Sequence, residues 1–318
     1  MKKTALLLIV LSIIFSGCAQ NAQSNGTKNN TEIKKEAPVK PEHAKVSDKQ
    51  LQENIANTMK DDFTVKETQS VKEAVNILQE TNNVLEYIAK DKDKKAKGEL
   101  AKLIGELEIL ITRDPEVALI PVNTGYEIKD AVVDIPTVYE ITEAAKKAMD
   151  DGYYQAAKKL MDNLTSEMIV KTAYLPLATY PDAMRLSAAL LDKGKKEEAT
   201  AILVKALNTL IIQQQEIPLP VLRAEEFIKL SAETMNNDDK NKKETAKLFL
   251  DNADYQLQLT EAMGYGKKDK EYKELYETIK DLKKTINDEK ESKGKFEKLS
   301  EKIKKFKERL FFKKDSLK

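Results

Sequence analysis

A repeat with a spacing of 42 residues runs through the middle of the chain and constrains its fold more than any other feature. Gly152 and Gly194 lie at equivalent places between segments with helical spacing of apolar residues. Other pairs agree at the same offset: Thr137 and Thr179, Ala157 and Ala199, Leu160 and Ile202, and Pro176 and Pro218. Two-helix repeats of about this length stack on one another, because no single unit buries its own apolar face. The sequence therefore predicts a predominantly all-α fold, built as stacked helical hairpins or as a helical bundle.

Helical spacing of apolar residues continues on both sides of this repeat. Before it, residues 71–88 and 100–111 read as two helices joined by the lysine-rich segment DKDKKAKG. After it, residues 221–235 and 246–257 read as a third, looser copy with an enlarged turn, NNDDKNKK. We therefore predict one helical-hairpin repeat domain over residues 47–266.

Short apolar segments broken by proline interrupt the helices. EVALIPV and YEIKDAVVDI are rich in β-branched residues and flank the turn-forming NTG, which predicts a small β-hairpin near residues 116–135. Proline disfavours the helical conformation in the residue before it. We therefore expect extended backbone at four positions where one helical pair passes to the next: Ile120, Ile135, Leu175 and Ile217.

The N-terminal residues have the pattern of a bacterial export signal. Lys2 and Lys3 precede an apolar run over residues 5–15, which is shorter than the ~20 residues that a membrane-spanning helix needs. The following FSGC resembles the lipobox of bacterial lipoproteins. This pattern predicts a lipoprotein signal peptide over residues 1–17 and lipid attachment at Cys18, and an ordinary secretory peptide is the alternative.

Residues 18–46 predict a disordered tether, because they hold too few large apolar side chains to offset the entropy of ordering. The predicted location is the periplasm, with the protein held on a membrane by its N-terminal lipid. The residues directly after Cys18 are Ala19 and Gln20. An Asp at this place would resemble a signal for retention in the inner membrane, and this chain lacks it. Its absence favours the outer membrane if the organism is Gram-negative.

Composition excludes several classes of catalysis from the folded part. Cys18 is the only cysteine and His43 the only histidine, so disulfides, thiolate metal sites and histidine triads are not expected there. We predict no cofactor, no metal site and no enzymatic activity. Asp150 and Asp151 beside Gly152 offer two readings, as paired carboxylates of a hydrolase or as ordinary turn and capping residues.

Residues 267–318 form a basic extension on an acidic body. They hold 19 Lys and Arg against 12 Asp and Glu, whereas residues 18–266 hold 33 against 41. Five apolar residues are spaced by three and four in the extension: Phe296, Leu299, Ile303, Phe306 and Leu310. This spacing fits a helical hairpin that caps the bundle, coiled-coil self-association, or contact with an anionic membrane surface. Nucleic acid is not an expected partner of an exported protein.

Three stretches of the chain resemble the YfdX family of bacterial envelope proteins. These stretches are VDIPTVYEITEAAKKAMDDGYYQAAKKLM, EMIVKTAYLPLA and LNTLIIQQQEIPLPVLRAEEFI, and the resemblance covers about residues 65–265. It implies a largely helical protein of the envelope, associated with envelope stress that includes acid and drug exposure. It carries over no catalytic residue, and it favours binding of a ligand or a protein.

The leading functional prediction is a lipid-anchored, non-enzymatic protein that holds a protein client or a small amphipathic ligand between helical pairs. Candidate binding residues near the proline segments are Asp134, Tyr139, Tyr174 and Tyr180, for which packing and helix capping are the alternative roles. The alternative function is a structural or assembly factor that acts through self-association, or through membrane contact of the C-terminal helix.

Overall fold

The structure is a computed structural model, and it describes residues 38–42, 46–63, 68–131, 133–266 and 270–312. The predicted signal peptide, Cys18, His43 and most of the predicted tether lie outside the described residues. Within these ranges the chain forms eleven helices and three strands, so the prediction of a predominantly all-α fold is confirmed.

Three consecutive units of two helices and one strand form the middle of the chain. Helix α1 (Asp48–Phe63) precedes them. The first unit is α2 (Gln69–Ala89), α3 (Asp93–Arg113) and β1 (Leu119–Lys129). The second unit is α4 (Ile135–Asp150), α5 (Tyr154–Asp162) and β2 (Glu167–Pro176). The third unit is α6 (Tyr180–Asp192), α7 (Lys196–Leu207) and β3 (Ile211–Pro218). The predicted repeat corresponds to the second and third units.

Four further helices complete the described chain: α8 (Leu219–Met235), α9 (Lys242–Ala262), α10 (Lys270–Asn287) and α11 (Lys293–Phe312). Among the helices described, none is both long enough and apolar enough to cross a bilayer.

The first helix of every unit ends in the same left-handed turn. Gly152 and Gly194 have φ of 81° and 72°, and the next residue of each donates its N–H to a carbonyl five residues back, as in a Schellman motif. In the first unit Asp91 has φ of 53°, and Lys92 N donates to Tyr87 O at 2.8 Å. An aspartate thus occupies the position that glycine holds in the other two units. The first unit therefore lacks the glycine that marks the repeat in the sequence.

The strands form one antiparallel sheet in the order β1-β2-β3. The predicted hairpin near residues 116–135 is wrong, because residues 119–129 form one continuous strand that pairs with β2. The predicted turn NTG lies inside that strand, where Thr124 and Thr172 face one another with their Oγ1 atoms 3.2 Å apart. An isolated two-stranded hairpin is marginal in water. Pairing with a central strand supplies the partner that a local hairpin lacks.

The backbone before the prolines is extended at three of the four predicted positions. Ile120, Leu175 and Ile217 lie in β1, β2 and β3. The prediction is wrong for Ile135, which is the first residue of α4. Asp134 caps this helix and Pro136 occupies its first turn, where the missing N–H of proline costs no hydrogen bond.

The sheet contributes to two cores on its opposite faces. Ile120 and Leu175, which pair across β1 and β2, pack into a core with α2, α3, α6 and α7. Met168 and Val170 point to the other face, because successive side chains of a strand alternate, and they pack with α1, α8, α9, α10 and α11. Each core thus gathers helices from distant parts of the sequence.

Helices α10 and α11 turn their apolar faces inward. Phe296, Leu299 and Ile303 are buried in the core that includes α8 and α9, and the ring of Phe306 lies edge-on to Tyr272 with centroids 4.8 Å apart. Of the three readings of the extension, the described residues therefore show the capping hairpin. The apolar stripe of α11 packs against other helices of the same chain.

A candidate ligand-binding groove between α1 and the sheet

A cavity of about 400 Å³ lies between the C-terminal end of α1 and the middle of the sheet. This volume falls in the range of about 300–1,000 Å³ that small-molecule sites occupy. We call the cavity the α1 groove, and it is lined by three residues of α1 (Met59, Lys60, Phe63), five of β1 (Val122, Asn123, Thr124, Gly125, Tyr126) and two of β2 (Met168, Val170). Its walls are mainly apolar.

Strand alternation explains why these side chains meet. Met168 and Val170 share a face of β2, and their cross-strand partners in β1 are Ile128 and Tyr126. On the opposing wall, α1 turns one apolar stripe toward the sheet, with Met59 buried in its last turns. The helix ends at Phe63, and among the described residues the neighbouring part of β1 is only partly covered.

Polar groups surround the apolar walls. Lys60 supplies a cation at the end of α1, and Asn123 and Thr124 supply hydrogen-bonding groups from β1. Tyr126 is 50% exposed, so its ring can contact a ligand without prior unfolding. Methionine side chains such as Met59 adapt to ligands of different shape. The arrangement suits an apolar body with a polar or anionic end.

A buried carboxylate fixes α1 on the rest of the core. Asn54 Nδ2 donates to Glu226 Oε1 of α8 at 3.0 Å, and Lys229 Nζ lies 3.5 Å from the other carboxylate oxygen. Burial raises the pKa of Glu226 above its ordinary value, and the contacts with Lys229 and Asn54 partly oppose this rise. The position of the groove wall therefore depends on a titratable group.

A second polar cluster ties the end of the sheet to α8. Arg223 Nη2 donates to Asp130 Oδ2 at 2.5 Å, and Ser166 Oγ donates to the other oxygen of Asp130 at 3.0 Å. Tyr265 accepts a hydrogen bond from Ser166 N at 3.2 Å and donates one to Glu167 Oε1 at 3.1 Å. These contacts hold β1 and β2 in register beside the groove.

Two of the sequence-predicted site residues lie on α4. Asp134 caps that helix, since its Oδ1 accepts a hydrogen bond from Thr137 N at 2.9 Å. Hydrogen bonds from Thr137 also hold the pKa of Asp134 below its ordinary value. Tyr139 is 50% exposed on the outer side of the same helix. Capping, the alternative role for Asp134, is thus visible in the structure.

The other two predicted residues lie in different surroundings. Tyr180 is 1% exposed in the first turn of α6, and its hydroxyl donates to Thr81 Oγ1 at 2.9 Å. Burial raises the pKa of Tyr180 to about 12. Tyr174 is half-buried on β2, on the same face as Val170 and hence on the groove side of the sheet. The structure does not bring the four predicted residues into one pocket.

Asp150 and Asp151 lie exposed at the turn that follows α4, where Asp151 is the C-cap. Their surroundings are those of a turn and not of a shared, enclosed pocket, so this pair lacks the setting that a carboxylate hydrolase needs. Within the described ranges, no group of three or more histidine, cysteine, aspartate or glutamate side chains is placed to hold a metal ion.

The groove residues were missed by reasoning from the sequence. The apolar spacing of Leu51, Ile55 and Met59 signals an amphipathic α1, and the alternation in EMIVKTAYLP signals a strand with one buried face. Neither signal shows that the two segments meet. Their contact is made through residues such as Asn54 and Glu226, which are 172 positions apart.

The fold and the groove together define a class: a helical repeat protein whose units are joined by a small sheet, with an apolar cavity beside that sheet. Residues 77–216 match the family model described as YfdX protein. This region is therefore similar to YfdX proteins, and the resemblance seen in the sequence is confirmed there. This region runs from within α2 into β3 and so covers the three units, whereas α1 and α8 to α11 lie outside it.

One solved structure with a similarity to this chain is a YfdX of Salmonella Typhi. It is 13% identical, the match covers 46% of this chain and 91% of that one, and the TM-score is 0.31. No curated protein matches the chain significantly.

Proposed function

We propose that this chain is a non-enzymatic binding protein that takes up a small amphipathic ligand, or an apolar segment of a protein client, in the α1 groove. The observation that carries the proposal is the mainly apolar cavity of about 400 Å³ with polar groups at its rim. An apolar ligand body would pack on Met59, Phe63 and Val170. Its polar or anionic end would lie near Lys60.

The chemistry of the walls favours uptake over catalysis. The groove brings together methionine, valine and aromatic side chains, which mainly offer apolar contact area. Among the described lining residues the titratable side chains are Lys60 and Tyr126, and that lining holds neither a carboxylate nor a histidine. Binding with modest selectivity for shape is the activity that such walls support.

The first test measures binding to three tyrosine variants of the full chain. A dansyl-labelled fatty acid serves as the small probe, and a permanently unfolded protein serves as the client. Tyr126→Ala removes an aromatic wall, so we expect probe affinity to fall about two- to tenfold, which corresponds to about 0.5–1.5 kcal/mol. Tyr154→Ala is the matched control, because Tyr154 is an exposed tyrosine on α5 and does not line the groove.

A third variant distinguishes the groove from the sequence-predicted site. Tyr139 is exposed to the same extent as Tyr126 but lies on α4. Loss of binding in Tyr126→Ala, with Tyr139→Ala and Tyr154→Ala unchanged, supports the groove. Loss in Tyr139→Ala alone would move the site to α4. A folded wild-type chain that binds neither probe nor client would remove the proposal.

We further propose that the protein works in the periplasm, held on the outer membrane by a lipid on Cys18. The lipobox-like FSGC supports this, as does the envelope association implied by the YfdX resemblance, which also suggests a role in envelope stress. Labelling cells with a clickable palmitate analogue tests the anchor. Wild type should incorporate the label, and Cys18→Ala should not. A labelled Cys18→Ala chain would contradict the assignment.

The alternative role, as an assembly factor that acts through its C-terminal helix, needs an apolar stripe on that helix to be free. In the described residues this stripe is packed against α10 and α8.

A further inference from the structure

Helix α1 lies on a surface that receives an amphipathic helix. Its large apolar side chains recur every four residues, and those of Leu51, Ile55 and Met59 are at most 4% exposed. This stripe packs into the core that includes α8 and β2. Helices that bind in a groove of another protein use the same kind of spaced apolar anchors. The stripe of α1 therefore shows which side-chain pattern this surface accepts.

We call the surface beneath the stripe the α1 seat. Among the described residues it includes Met168 and Val170 of β2, and Glu226 of α8, which accepts a hydrogen bond from Asn54. Met168 and Val170 also line the α1 groove. The seat and the groove are therefore neighbouring parts of one surface.

Helix α1 fills this surface incompletely at its C-terminal end. A cavity of about 400 Å³ remains beside Met59 and Phe63. Protein cores normally leave few voids larger than a water molecule, and side chains that border such a space lose dispersion contacts on that side. A helix with a larger apolar side chain at the position of Met59 would gain contacts that α1 does not make.

A polar contact between α1 and the seat is also weaker than it could be. Glu226 is 4% exposed, and α1 offers its carboxylate the neutral amide of Asn54 at 3.0 Å. Lys229 Nζ lies 3.5 Å from the other carboxylate oxygen, and the side chain of Lys229 is 52% exposed. A buried carboxylate is compensated better by a cation than by a neutral donor. A basic residue at the position of Asn54 would therefore suit the seat better.

We propose that α1 is a built-in occupant of the seat and that an amphipathic helix of a protein partner replaces it. The partner helix carries apolar side chains at the positions of Leu51, Ile55 and Met59, with a larger one at the last, and a basic residue at the position of Asn54. This inference rests on the proposed function, because it names the protein client that the α1 groove and the seat take. Helix α1 competes with that client, so a client helix has to make better contacts than α1 makes.

A peptide with the sequence of α1 tests the replacement. A fluorescein-labelled peptide of residues 46–63 is titrated into the full chain, and its anisotropy reports binding. Asn54→Ala in the chain weakens docking of the internal helix, because the buried carboxylate loses a donor. The unchanged peptide should therefore bind this variant at least fivefold more tightly than wild type. Asn57→Ala is the matched control, since Asn57 is exposed on the same helix, and it should change the affinity less than twofold.

Peptide variants test the chemistry of the partner. Ile55→Lys in the peptide breaks the apolar stripe and should weaken binding at least tenfold. Asn54→Lys in the peptide supplies a cation and should strengthen binding to wild type at least threefold. Glu226→Gln in the chain should remove that gain, because it replaces the carboxylate that would pair with the added lysine.

Hydrogen exchange followed by mass spectrometry shows whether α1 leaves the seat. With an isotopically labelled peptide bound, the amides of the chain's own α1 should lose protection, while those of α2 keep theirs. A peptide that binds neither wild type nor Asn54→Ala, or that binds without exposing α1, would overturn the inference.

The dansyl-labelled fatty acid separates this outcome from failure of the proposed function. A chain that binds the fatty acid but no peptide keeps the α1 groove as a binding site and overturns the exchange of helices. A folded chain that binds neither overturns both.

Discussion

The two faces of the central sheet differ in how completely helices cover them. On one face, four helices pack against Ile120 and Leu175, and the Tyr180 hydroxyl donates a hydrogen bond to Thr81 inside that core. On the other face, the part of β1 that pairs with Val170 is covered, among the described residues, by the end of α1, and a cavity remains. The same strand thus contributes to a closed core and to an open groove. The candidate site therefore arises because helices cover this face of the sheet incompletely. It does not arise from an unusual residue.

The largest expected effect compares one truncation on each face. Leu175 and Met168 are both 0% exposed on β2, and each can be shortened to alanine. We expect Leu175→Ala to lower the free energy of unfolding by about 2–5 kcal/mol, because the closed core can collapse only partly into the new cavity. The loss in free energy of unfolding for Met168→Ala should lie at the lower end of that range, because Met168 already borders the cavity of the α1 groove. Urea denaturation measures the free energy of unfolding of both variants. Equal losses would contradict the claim that the two faces of the sheet are covered to different extents.

A smaller effect is expected from removing one hydroxyl on each face. Tyr180→Phe deletes the hydrogen bond to Thr81 in the closed core, at a cost of about 0.5–1.5 kcal/mol. Tyr126→Phe removes a hydroxyl from a half-exposed ring at the groove and should cost less than about 0.5 kcal/mol. Thermal denaturation at neutral pH separates the two. A larger loss for Tyr126→Phe would mean that the groove is more ordered than its exposure suggests.

The smallest effect concerns pH and the buried carboxylate that holds α1. Burial raises the pKa of Glu226 in the folded chain, so the folded state keeps this proton to higher pH than the unfolded chain. The contribution of Glu226 is therefore most favourable below its ordinary pKa of about 4.3, and it declines as pH rises through the raised value. Glu226→Gln should remove this decline and gain stability relative to wild type toward neutral pH.

The control for that effect is Glu143→Gln, which changes an exposed glutamate on α4 that is not among the groups shifting the pKa of Glu226. Unfolding curves at several pH values, taken as differences from wild type, cancel the contribution of Asp254, whose pKa burial also raises. A Glu226→Gln difference that does not vary with pH would show that this carboxylate is not strained by burial.

The sequence predicted features that depend on neighbouring residues. Glycine at the equivalent turns and proline after three extended residues follow from backbone preferences, and these parts of the fold were predicted correctly. The first unit was not recognised as a repeat, because Asp91 takes the left-handed position that glycine holds in the other two. β1 was misread as a hairpin, because its true partner β2 is separated from it in sequence by the helical pair α4 and α5.

The candidate site could not be predicted from neighbouring residues, because it too is formed by segments that are distant in the sequence. Tyrosines near the prolines were chosen for their chemistry, yet Tyr180 is buried and Tyr139 lies on the outside of α4. The groove arises from docking of α1, which precedes the repeat, onto strands within it. Only Tyr174 among the predicted residues shares the groove side of the sheet, and it does so because side chains on β2 alternate.

The most direct test of the account fills the groove from one face of β1 and leaves the other face as its control. Thr124 points toward α1 with Val170 and Thr172, whereas Glu127 is exposed on the opposite face of β1 and does not line the groove. Probe affinity is measured by titration of the dansyl-labelled fatty acid into each folded variant. We predict that Thr124→Phe raises the dissociation constant at least tenfold, or about 1.4 kcal/mol, while Glu127→Phe changes it less than about twofold. Equal affinity of both variants and wild type would contradict the claim that the α1 groove is the binding site.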